Sequence, residues 1–219
     1  MNKGTNAPRI FQIGFNRCGT TTLIRFFQAN NLKCLHWGRG SIAAGIEASR
    51  LEGTPLLSYI DGYFAYGDME FVEVKSESKK IFKKKPFRRL YKNLPKENLN
   101  PIYAFENFRE LDKQYPGSKF ILNTRNVEDW INSRIRFLER GYFYCKHGER
   151  FHNTQEALNQ CWREHWDEHT SNVREYFTNR PEDLLEFDLD KDGPEKIADF
   201  FSDLDLDTSK WGHHNESKR

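Results

Sequence analysis

The chain has 219 residues, with 34 lysines and arginines against 32 aspartates and glutamates, a net charge of +2 and 15% aromatic residues. That length supports one domain with a full hydrophobic core, and the composition excludes disordered and fibrous classes. A charge so near zero gives no global attraction to nucleic acid, and no apolar stretch nears the roughly 20 residues of a membrane span. In chain order, residues 1–8 are polar, so no secretory leader is expected. Residues 9–14 (RIFQIG) read as a short buried strand, followed by a loop over 14–19. Residues 20–29 (TTTLIRFFQA) place Leu23, Ile24 and Phe27 on one helical face, and Asn30 and Asn31 stop the helix. A second strand over 32–36 completes a βαβ unit, which implies a parallel sheet. The pattern then predicts a helix over 41–51 with Ser41 as N-cap. Residues 52–101 read as an irregular, basic insertion, placed to serve as a lid or acceptor face. Helices follow over 102–115, 127–140, 154–177 and 194–201, with Thr154 as an N-cap and Pro194 in a first turn. Strands are predicted over 119–124 (KFILNT) and 184–187. The class is α/β: one domain over 1–219, a three-layer parallel sheet flanked by helices.

The chemistry concentrates in residues 14–22 (GFNRCGTTT). The Gly14-to-Gly19 spacing is that of a phosphate-binding loop, set between a strand and a helix. Backbone N–H groups of such a loop point inward and the helix dipole adds positive potential. Asn16, Arg17, Cys18 and Gly19 form the loop, and Thr20, Thr21 and Thr22 add hydroxyl donors. A triphosphate loop places lysine after the second glycine, followed by a hydroxyl for magnesium. Here that position is Thr20, and the sole loop cation is Arg17. The loop therefore reads as a phosphate site without the triphosphate and magnesium apparatus.

A second site follows the strand over 119–124. Arg125 sits at the carboxyl end of that strand, the edge where open α/β sheets bind ligands. Asn126 is a good N-cap, and Ser133 lies eight positions beyond Arg125 on the next helix. Arginine and serine so placed can converge on one phosphate.

At these two segments the chain resembles a known family. Residues 11–23 (FQIGFNRCGTTTL) resemble the loop that binds the 5′-phosphosulfate group in P-loop sulfotransferases. Residues 125–133 (RNVEDWINS) resemble their R-N-P-x-D-x-x-x-S segment, which binds the 3′-phosphate of 3′-phosphoadenosine 5′-phosphosulfate. The cadence of 115–125, 161–177 and 184–201 is similar to the bacterial branch. The resemblance implies a P-loop-containing sulfotransferase fold and sulfuryl transfer from that donor to a hydroxyl or amine, on a glycan or small metabolite, without metal. Two departures stand out. Asn16-Arg17-Cys18 replaces Pro-Lys-Ser, so a forked guanidinium stands where an ammonium is usual. Val127 replaces proline.

Candidates for the general base are His36, ending the second strand, and Asp68, in a turn after Ala65-Tyr66-Gly67. Asp61, before Gly62, reads as a turn residue. Cys161, His165 and His169 share a helical face, but H-W-D-E-H lacks the zincin signature, and a solvated or packing face is expected. The four cysteines, Cys18, Cys34, Cys145 and Cys161, are spaced too irregularly for a disulfide framework or a zinc site, and free thiols in the cytoplasm are expected. Residues 75–96 hold ten lysines and arginines with Phe82, Phe87 and Tyr91 interleaved, which suits either a solvated face or an anionic partner. Two rival readings remain open: a nucleotide kinase or NTPase, and a nucleotide-binding protein without catalysis.

Overall fold

The computed structural model describes residues 7–71, 101–138 and 154–212. The run over 75–96 lies outside them. Five strands, β1 (Ile10–Gln12), β2 (Cys34–His36), β3 (Ala65–Gly67), β6 (Lys119–Thr124) and β7 (Leu184–Asp188), form one sheet in the order β2-β3-β1-β6-β7. Every pairing in it is parallel. Two further strands, β4 (Glu70–Phe71) and β5 (Ile102–Tyr103), pair antiparallel.

Successive strand residues face opposite sides, so each strand feeds two cores. Ile10 and Ile121 pack with Leu23, Ile24 and Phe27 of α1 (Thr20–Ala29), and with Ile197 of α6 (Pro194–Phe200). Phe11, Phe120 and Leu122 pack on the other side. There they meet α2 (Ser41–Glu52), α3 (Phe108–Gln114), α4 (Val127–Leu138) and α5 (Gln155–Phe177). Helices on both faces make the three-layer α/β architecture that the alternation of elements predicts.

Three expectations change. The stretch over 52–71 is not wholly irregular: β3 lies inside the main sheet, between β2 and β1. The helix expected from 102 begins as strand β5, passes through a 3₁₀ turn over Ala104–Asn107 and becomes helical only at Phe108. Tyr103, one of the residues paired to β4, is drawn into a ladder that helical periodicity does not reveal. Gly40, not Ser41, caps α2, with φ 82°. Thr154 behaves as expected and accepts from the Ala157 N–H at 3.3 Å.

Candidate active site

The loop after β1 is shaped by what holds its carbonyls. Asn123 on β6 donates from Nδ2 to the carbonyls of Phe15 and Cys18, each at 3.1 Å. Its Oδ1 accepts from Gly14 N–H at 3.1 Å. Trp130 Nε1 on α4 donates to the Asn16 carbonyl at 3.0 Å. Arg125 Nη1 donates to the Arg17 carbonyl at 3.4 Å. His169 Nε2 on α5 lies 2.7 Å from the Ile13 carbonyl. A carbonyl only accepts, so that nitrogen carries the proton. In a trans peptide N–H points opposite to C=O. Anchoring the carbonyls of residues 15 to 18 outward therefore turns the amides of Asn16, Arg17, Cys18 and Gly19 toward the loop's interior. The result is a nest of donors at the start of α1, suited to an anion.

Two backbone positions make this loop close. Gly19 has φ 77° and Arg17 has φ 65°, both left-handed. At Gly14 a Cβ would stand 2.2 Å from the Asn123 carbonyl oxygen, so only glycine fits there. Cys18 contributes backbone alone. Its side chain is fully buried in the core, and desolvation raises its pKa far above the usual thiol range, leaving an inert thiol.

Segments distant in the chain converge on Arg17. Its Nε donates to Ser133 Oγ at 3.1 Å, while its carbonyl takes the Arg125 contact. Arg125 also pairs with Asp190 at 3.2 Å, and its buried Nε meets no acceptor among the described residues. Asp190 was not foreseen; it also accepts from the Asn126 N–H at 3.2 Å. Asn126 caps α4 as expected, accepting from the N–H groups of Glu128 and Asp129 at 2.9 and 3.2 Å.

His36 and Asp68 meet at the carboxyl ends of adjacent strands β2 and β3, with Nε2 and Oδ2 3.6 Å apart. His36 Nε2 also lies 3.4 Å from the hydroxyls of both Thr20 and Thr21. The pair thus borders the first turn of α1, with Thr22 buried one residue further on. Burial, reinforced by Arg25, lowers His36 to about 4. Burial, with help from Glu70, raises Asp68 to about 7, against the pull of Arg17 and Arg134. Near neutral pH the imidazole is therefore uncharged and the carboxyl half-ionised, so the pair can accept a proton.

His165 and His169 serve the fold. His165 Nε2 lies 2.6 Å from Glu106 Oε1, and His169 holds the loop, which the packing-face reading did not anticipate. Among the described residues no cluster of His, Cys, Asp and Glu could hold a metal. Asp61 is a turn residue as expected, accepting from the Gly62 N–H at 2.7 Å, and also pairs with Arg9 at 3.3 Å. Sequence reasoning missed Asn123, Trp130 and His169 as loop braces. A polar Asn inside the apolar run KFILNT was the available signal, since a buried amide must find partners. No described helix is long and apolar enough to cross a membrane.

A family model described as a sulfotransferase domain matches residues 9–148, more than half of the chain. Among curated proteins, none matches.

Proposed function

The chain belongs to the sulfotransferase domain family, whose members are transferases of sulfuryl groups, and we propose that its donor is 3′-phosphoadenosine 5′-phosphosulfate and its acceptor a hydroxyl or amine on a carbohydrate or small metabolite. The observation that carries this reading is the convergence on Arg17 of the inward-turned loop amides, Ser133 and Arg125. The residues suit such a donor. The amide nest fits the 5′-phosphosulfate, and the buried, unpartnered Nε of Arg125 is a donor directed at no protein group described. Arg125 and Ser133 would anchor the 3′-phosphate and so fix the register of the nucleotide.

Arg17 and the loop amides are placed to counter charge growing on the departing phosphate oxygen. The His36–Asp68 pair takes the acceptor proton. As the acceptor attacks sulfur in line, a new O–S or N–S bond forms and the S–O bond to phosphate breaks. The nucleotide leaves as 3′-phosphoadenosine 5′-phosphate, so atoms and charge balance without an added oxidant or reductant. A cytoplasmic setting belongs to the same reading, in keeping with the free thiols of Cys18, Cys34 and Cys161.

The test is a transfer screen with ³⁵S-labelled donor over glycans, lipids and small alcohols. Label moving to an acceptor in the wild type and not in Arg17→Ala supports the reading. No transfer, with magnesium-dependent hydrolysis of ATP instead, would replace it with an NTPase.

A further inference from the structure

Two residues beyond Asp68, the chain buries a charge. Glu70 on β4 and Arg134 on α4 form an ion pair at 2.6 Å, with side chains 1% and 0% exposed. The Arg134 guanidinium lies against both Trp130 and Trp162, 4.8 Å from each ring centroid. Such a pair is costly to desolvate and gives little net stability, so its retention points to a positional use.

Its place in the chain suggests that use. Arg134 follows Ser133, which holds Arg17; Glu70 follows Asp68 by two residues. Asp68 itself sits at φ 58°, the left-handed corner between β3 and β4. On one side of that corner, Gly67 is fixed by pairing with His36 and by accepting from the Trp37 N–H at 2.9 Å. On the other side, Glu70 is fixed by Arg134 and by its pairing with Tyr103. One helix, α4, therefore grips both the loop cation and the segment carrying the carboxyl.

We propose that Glu70 and Arg134 are positioning residues: a buried charge latch that ties Asp68 to the donor-binding helix and sets how readily it takes the acceptor proton. This rests on the assignment of Asp68 to the base pair. The charged and titratable groups around Asp68 are His36 on β2, Arg17 in the loop, Glu70 on β4 and Arg134 on α4. Glu70 raises the proton affinity of Asp68 and Arg134 lowers it, Glu70 having the larger effect. The latch therefore acts on the carboxyl in two opposing senses that can be separated.

The experiment is the pH profile of sulfuryl transfer for wild type, Glu70→Gln, Arg134→Met and the double variant. Glu70→Gln should move the acid limb to lower pH, and Arg134→Met to higher pH, each by about one unit. The double variant should fall slightly below wild type. A purely structural role would lower turnover in all three without moving the limb in opposite directions, and that result would overturn the latch. If one single variant, left with an uncompensated buried charge, does not fold, the other decides: a limb unmoved from wild type in it overturns the proposal. In parallel, the stability difference between wild type and Asp68→Asn is followed from pH 5 to 8, with and without the double change. This needs no activity. A smaller pH-dependent gap in the double background supports the latch even if no acceptor is found, whereas an identical gap overturns it. Failure of transfer in the wild type alone would count against the sulfuryl-donor reading instead.

Discussion

At φ 65°, Arg17 holds a backbone conformation that a long side chain rarely adopts, and strain of this kind collects at functional sites. Its side chain reaches Ser133, and its charge acts on Asp68, so it stands between the proposed donor contacts and the proposed base. Charge on a leaving oxygen is greatest in the transition state. Arg17→Ala should therefore lower turnover on the order of 100-fold, more than it weakens donor binding. Arg17→Lys should recover part of the loss, with charge but no fork. Normal turnover of Arg17→Ala at saturating donor would leave Arg17 a phosphate anchor only. Asp68 carries a second prediction. Its folded form holds a proton that the unfolded chain releases between pH 3.8 and about 7, so the associated stability is full below pH 3.8 and is lost as pH rises through 7. Asn tolerates the left-handed corner. Asp68→Asn should lose transfer activity yet resist denaturant better than wild type, by on the order of 2 kcal/mol at pH 8 and by much less at pH 4. Equal stability of the two proteins at both pH values would show that Asp68 is not held as described. Both residues stand out in the sequence as candidates, one as the sole cation of a glycine-bounded loop, the other as an acid in a turn after Ala65-Tyr66-Gly67. Their mutual geometry does not, because β1 and β3 meet only in the sheet.

The loop after β1 keeps its shape because other elements hold it. Asn123 alone occupies two carbonyls and one amide of it. An Asn123→Asp variant keeps the acceptor for Gly14 N–H but sets a carboxylate against the Phe15 and Cys18 carbonyls. It should lose about 2–3 kcal/mol of stability, read by chemical denaturation, and bind donor more weakly because the amide nest relaxes. Wild-type stability with wild-type affinity would show that the loop is rigid without its brace. Elements with a long, uniform pattern were read correctly: α1 and β6 were placed with the bounds they have, since a ten-residue amphipathic face and a six-residue apolar run each leave little choice. Strand β3 was not read, because Ala65-Tyr66-Gly67 is too short to show alternation and its glycine suggested a turn. The start of the segment at 102 was misread because pairing with β4 overrides helix propensity there.

On the scale of the molecule, the strand order β2-β3-β1-β6-β7 aligns the carboxyl ends of parallel strands on one edge. His36, Asp68, the loop after Gln12 and Arg125 all leave the sheet at that edge, where open α/β sheets bind their ligands. The loop after β1 and the segment over 125–133 lie over 100 residues apart in sequence, and the pairing of β1 with β6 brings them together. A ligand that bridges them binds the folded chain and not the unfolded one, so it must raise the unfolding temperature, by an amount that grows with the logarithm of its concentration over its dissociation constant. The central claim is that this edge reads a nucleotide with a phosphate at each of its 5′ and 3′ positions. The direct measurement is calorimetric titration with 3′-phosphoadenosine 5′-phosphate and with 5′-AMP, on wild type and on Arg125→Ala. Wild type should prefer the 3′-phosphorylated nucleotide by about 1.5–3 kcal/mol, and Arg125→Ala should lose most of that preference while folding normally. Equal affinity of wild type for the two nucleotides would contradict the assignment.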